Sequence, residues 1–111
     1  ITQGASSTSE SIWTGSQDMG SWAGSIQLAA DKFTSAKVGD VIHVKASVLA
    51  DAQGSFKNGS WSEIAAGTDY FTITGDFDLT ITDAILTSLQ SGGLIVSGKN
   101  YTATEVTIVH N

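Results

Sequence analysis

The 111-residue chain carries a formal net charge of −6, five lysines, no arginine and no cysteine. That excludes disulfides, thiolate metal sites and cysteine nucleophiles, and it argues against nucleic acid and anionic membranes as partners, which Lys and Arg clusters recognise. The length suits one domain with a single core, and no run approaches the roughly 18 consecutive apolar residues of a helical membrane span.

Charged residues make up 14% of the chain, against about a quarter in ordinary domains. Gly, Ser and Thr fill the difference, a balance common on extracellular β proteins. Residues 1–10, "ITQGASSTSE", have no periodicity and read as a linker or frayed end. The expectation is a mature or excised domain, residues 11–111, cut from a longer protein. No secretory leader pattern is recognisable.

From Ser11 onward the pattern is of short strands. "VIHVKASVL" alternates, with Ile42, Val44, Ala46 and Val48 on one side and His43, Lys45 and Ser47 on the other. "DFDLTIT" places Phe77, Leu79 and Ile81 inward, and "ATEVTIVH" repeats the theme with Val106 and Ile108. "SIQLA", "YFTIT" and "GLIVSG" are further strands, separated by Gly, Asn and Asp clusters. One segment breaks the period. "TDAILTSLQSGG" spaces Ile85, Leu86 and Leu89 as a helix does, with Thr82 or Asp83 as N-cap and glycines at the end. The fold class is therefore all-β, an antiparallel, jelly-roll-like sandwich with one short helix near residues 83–90.

No catalytic constellation assembles. His43 lies on the polar face of a strand, and His110, next to last, is expected to be mobile. No G-x-S-x-G elbow is present. Asp76 and Asp78 share one face of a strand and could form an acid/base pair. A solvated edge or part of a calcium site is the commoner use of such a pair, and calcium needs further oxygen ligands that the sequence does not identify. The expectation is no cofactor, with calcium the one candidate, and no enzyme activity.

The three tryptophans carry more information. "IWTGSQDMGSW" sets Trp13 and Trp22 beside a polar, glycine-rich loop. Large aromatics in a small β domain are usually core. Trp13, after Ile12, fits core and surface equally. Trp22, between "MGS" and "AGS", is poorly surrounded locally and reads as exposed. Trp61 depends on its loop. If Asn58-Gly59 forms a two-residue type I′ turn, Trp61 pairs with Phe56 and turns inward; a longer loop frees the ring. Tryptophans lining one groove on a polar surface form a platform for pyranose rings, covering their apolar face while polar side chains bond the hydroxyl rim. Gln17, Asp18, Gln53, Lys57, Asn58 and Asn100 supply that polar inventory.

At "IWTGSQDMGSW", "FKNGSW" and "GGLIVSGKNYTATEVTI" the chain resembles the small β-sandwich domains appended to Bacteroidetes-type secreted glycoside hydrolases and surface glycan-binding proteins. Ile12, Trp13 and Gly15 match the first element of that pattern and Trp22 the second. Gly59 and Trp61 match the third, and Gly92, Gly93, Gly98 and Asn100 the close. The match spans roughly residues 11 to 109. In the relatives the strand before the hairpin often carries a larger polar residue where this chain has Ser55, with Gln53 the candidate substitute. The resemblance implies a non-catalytic carbohydrate-binding module, extracellular or on the cell surface and tethered beside a glycoside hydrolase. Its implied ligand is a β-glucan or related hemicellulose (cellulose-type, mixed-linkage glucan, xyloglucan, glucomannan). Candidate ligand contacts are Trp22 first, then Trp61 and Trp13, with Gln17, Asp18, Gln53 and Lys57 as polar partners. Shallow, wet sites of this kind bind at about 10 µM to 1 mM, roughly −7 to −4 kcal/mol. The rival from another class is a structural or adhesive sandwich that spaces domains or docks a protein, with its tryptophans in the core.

Overall fold

The computed structural model describes residues 8–65, 68 and 70–110. Two long strands organise it. β3 (Val41–Lys57) and β6 (Leu94–His110) run antiparallel from Val41 opposite Val109 to Lys57 opposite Ile95. The ladder slips at Lys45/Ala46 and again between Val48 and Gln53. β1 (Thr8–Asp18) pairs with the second half of β6, and β2 (Ser21–Leu28) with its first half. β5 (Phe77–Thr80) lies along the first half of β3, and β4 (Phe71–Thr72) along its second half.

The result is an all-β sandwich whose two layers are continuous through β3 and β6. One layer is β5-β3-β6-β1, the other β4-β3-β6-β2. Their inner faces meet in one core: Ile42, Val44, Val106 and Ile108 from the first layer, and Ile26, Leu28, Phe56 and Val96 from the second. Phe77 on β5 closes the gap between layers, its ring 5.5 Å from those of Phe56 and Tyr101. The alternation "VIHV" is thus read correctly. Ala46 and Val48 lie on the same face, half-buried and packed against the core.

α1 (Asp83–Gly92) seats Ile85 and Leu89 in the core. Thr82 caps it, its hydroxyl accepting from the Ile85 N–H at 3.3 Å. The helix packs against a 3₁₀ turn, Ala30–Phe33, where the fully buried Phe33 accepts a hydrogen bond on its carbonyl from Gln90.

Two readings of the sequence need correction. "GLIVSG" and "ATEVTIVH" are one strand rather than two, as are "VIHVKASVL" and the residues running on to Lys57. Gly98 and Asn100 mark a bend within β6, not its end. A Cβ on Gly98 would sit 2.2 Å from the Gln53 carbonyl oxygen, so only glycine lets β3 and β6 approach there. Nearby, Asp51 on β3 and Asn100 on β6 both take positive φ, and the Asn100 amide donates to the Ala50 and Asp51 carbonyls. In the segment read as linker, residues 1–7 lie outside the described residues. Thr8, Ser9 and Glu10 already pair with His110, Val109 and Ile108.

Gly98→Ala is expected to destabilise the fold by about 1–3 kcal/mol through forced separation of the two strands. The effect would be read as a lower midpoint of urea unfolding with the slope unchanged.

Candidate functional site

On the outer face of the β4-β3-β6-β2 layer lies a cleft of about 330 Å³ lined by Trp22, Lys57, Trp61, Tyr70 and Ser97. Ser97 on β6 is the small residue of its lining, and in the ladder it stands opposite Ser25 on β2 and Ser55 on β3. Ser55, smaller than the residue expected from the resemblance, is buried and does not line the cleft.

Each wall is placed by a local device. Around Trp22 the pairing jumps from Ser21 opposite Lys99 to Ser25 opposite Ser97, so β2 uses four residues where β6 uses two. The extra length loops out. The buried Met19 anchors its base, donating to the Tyr101 carbonyl and accepting from the Ala23 and Gly24 N–H groups. Gly24 is obligatory, because a Cβ there would lie 2.3 Å from the Asp18 carbonyl oxygen. The small residues on both sides of Trp22 are therefore the means of turning its ring out of the core.

Trp61 is thrown out by a loop longer than two residues. The Asn58 N–H donates to the Ser62 carbonyl, and its carbonyl accepts from the Trp61 N–H. Its side-chain oxygen accepts from the N–H groups of Ser60 and Ser62 at 2.8 and 3.1 Å. Gly59 serves a contact rather than a type I′ turn. A Cβ on it would meet the Gly92 carbonyl oxygen at 2.3 Å, so the loop lies against the end of α1. Tyr70 completes the wall, edge-on to Trp22 with centroids 5.2 Å apart and planes at 71°. The Lys57 ammonium lies 5.0 Å from the centre of the Tyr70 ring, within cation–π range.

All three aromatic residues have left-handed backbones, with φ of 66° at Trp22, 64° at Trp61 and 57° at Tyr70. They are 37%, 50% and 62% exposed. A bulky residue in this region costs on the order of 1–2 kcal/mol, and none of the three recovers that cost by full burial. Glycine would be easier at each position. Strained, exposed aromatics converging on one cleft are the pattern of a binding surface.

The other residues singled out in the sequence fall elsewhere. Trp13 is half-buried against the core on β1, with its ring over Gly15, and does not line the cleft. Gln17 and Asp18 are occupied in the Met19 turn: the Gln17 amide donates to the Asp18 carbonyl, and the Asp18 carboxylate accepts from the Gly20 N–H. Gln53 faces a separate hollow. Tyr70 and Ser97 were not singled out. Tyr70 stands at the head of the run "YFTIT", where strand periodicity hides a residue whose backbone turns left-handed.

Both histidines are clasped by carboxylates. His43, in the other layer, contacts Asp78 through Nδ1 at 2.5 Å and Asp76 through Nε2 at 3.2 Å. Asp76 also accepts the Ala46 N–H. His110, expected to be mobile, is held by the buried Asp40 at 2.7 Å and by Glu10 at 3.4 Å, because the last strand is paired up to that residue. Among the described residues no three His, Asp or Glu side chains are grouped to hold a metal ion. Burial opposes charging His43, but its bonds to Asp78 and Asp76 outweigh that and raise its pKa. The Asp40 bond raises that of His110. The Ser35 hydroxyl, then His110, lowers the pKa of Glu10. The Ala46 N–H, helped by His43, lowers that of Asp76.

No family model matches the chain, and no curated protein matches it. Among solved structures the fold is similar to that of SGBP-B of the Bacteroides ovatus mixed-linkage glucan utilization locus, in complex with a mixed-linkage heptasaccharide. The TM-score is 0.72 at 20% identity, over 90% of this chain and 30% of that one. This likeness shows the fold.

Two predictions follow from the geometry. Trp61→Gly relieves a strained backbone on an exposed loop, so stability should stay within about 1 kcal/mol of the parent by thermal unfolding. The histidine clasps stabilise most below the ordinary histidine value of 6.5 and are lost as pH rises through the raised folded values. The carboxylates contribute above their ordinary values of 4.5 and 3.8 and are lost on acidification. Stability should therefore peak between about pH 4.5 and 6.5 and decline as the pH rises further, through the raised histidine values. In a His43→Asn/His110→Asn variant, urea titrations should show that alkaline decline flattened.

Proposed function

We propose that this domain is a non-catalytic carbohydrate-binding module that holds a β-glucan or related hemicellulose chain in the cleft of Trp22, Trp61 and Tyr70. The observation that carries the reading is the convergence of three exposed, backbone-strained aromatics on one cleft with Ser97 and Lys57 in its lining. A pyranose ring presents an apolar C–H face, which an indole or phenol ring covers with loss of apolar surface to water. Its hydroxyls meet the Lys57 ammonium and Ser97. A fold shared with a protein solved in complex with a mixed-linkage heptasaccharide supports a glycan as the ligand.

The edge-to-face setting of Trp22 and Tyr70 offers two ring planes at a steep angle, suited to a chain that turns as it crosses the site rather than to a flat crystalline surface. The domain works by tethering. Attached to a glycoside hydrolase outside the cell or at its surface, it raises the effective concentration of that enzyme at the polymer. Neither histidine is in the cleft, and both are engaged by carboxylates.

Affinity electrophoresis tests this against hydroxyethylcellulose, barley β-glucan, xyloglucan, glucomannan, xylan and starch. One or more β-glucans should retard the wild type. Trp22→Ala and Trp61→Ala, each still folded by circular dichroism, should bind at least about tenfold more weakly, about 1.4 kcal/mol. A wild type retarded by none of the polymers would overturn the reading in favour of a spacer or docking sandwich.

A further inference from the structure

The outer face that carries the cleft continues beyond it. Strand side chains alternate, so Lys57, Ser55 and Gln53 on β3 point to the same side, as do Ile95, Ser97 and Lys99 on β6. The register between these two runs is unbroken: Lys57 opposes Ile95, Ser55 opposes Ser97, and Gln53 opposes Lys99. Thr72 on β4 and Ser21 on β2 extend the last pair into a row across all four strands. There a second hollow of about 290 Å³ is lined by Asp51, Ala52, Gln53, Thr72 and Lys99. From Ser97 to Lys99 is two residues, about 7 Å along the strand.

The second hollow differs in character from the first. Among the described residues its lining holds no aromatic ring. It presents an amide, an ammonium and a hydroxyl as donors, and a carboxylate, an amide oxygen and a hydroxyl as acceptors. Its rim is fixed by the bend: Asp51 is in the left-handed region, and the Asn100 amide holds its carbonyl and that of Ala50. The two hollows lie on one face along the same two strands.

Resting on the carbohydrate-binding reading, we infer that the hollow of Asp51, Gln53, Thr72 and Lys99 is a second, purely polar subsite. It takes the hydroxyl rim of a sugar further along the glycan whose other rings stack on Trp22, Trp61 and Tyr70. The domain thus recognises an internal run of a glycan chain along β3 and β6, rather than a single terminal sugar.

Calorimetric titration with cello- and mixed-linkage gluco-oligosaccharides of two to six rings tests this on the wild type, a Thr72→Ala/Lys99→Ala variant and Trp22→Ala. Wild-type affinity should rise at least fivefold from the shortest ligand that binds to the hexasaccharide. The Thr72→Ala/Lys99→Ala variant should lose that gain and bind the short ligand as the wild type does. Affinity independent of chain length, or equal weakening for short and long ligands in the double variant, would overturn the second subsite. Loss of binding in Trp22→Ala would still uphold the aromatic cleft in that case. A wild type that binds no oligosaccharide of either series would overturn the subsite as well.

Discussion

The ladder between β3 and β6 is the constraint on which the rest of the molecule depends. Every other strand pairs with one of these two, and both layers of the sandwich share them. The ladder can serve both layers only if it bends, and the bend requires β3 and β6 to approach at Gly98 more closely than a Cβ permits. The left-handed residues Asp51 and Asn100 take up the turn. The aromatic rings of Phe56, Phe77 and Tyr101 then fill the angle between the layers. The core stabilises the bend, and the bend brings the two halves of the core together.

The cleft exists because the same layer carries local faults in its pairing. The extra residues of β2 around Trp22 and the Asn58 loop before Trp61 each leave the ladder. Each projects one aromatic side chain into the cleft that Ser97 also lines. A fold selected only for stability would place glycine or asparagine at these left-handed positions. Three bulky rings on unfavourable backbones instead favour a surface shaped for a ligand.

Much of the fold was legible in the residues. The alternation of Ile42 and Val44, and of Val106 and Ile108, marks inward faces, and Thr82 with Ile85 and Leu89 marks the helix. Strand boundaries were not legible, because glycine and asparagine signal equally the end of a strand and a bend within one; Gly98 and Asn100 do the second. The exposure of Trp22 could be read from its small neighbours, whereas Trp61 depended on a loop length that Asn58-Gly59 does not fix. Gly59 proved to answer a long-range contact with Gly92, which no local pattern carries. Gln17 and Asp18 have the right chemistry for a sugar but are engaged in holding the turn. Tyr70 was hidden because a strand-like run conceals a single left-handed residue.

The central claim is that Trp22 and Trp61 face solvent in order to meet a glycan. It is tested most directly by tryptophan emission in a Trp13→Phe variant, which leaves only those two indoles. The account predicts red-shifted emission that acrylamide quenches readily, with a blue shift and protection from quenching when barley β-glucan or xyloglucan is added. Emission that is already blue-shifted and protected in the free protein, and that neither polymer alters, would contradict it.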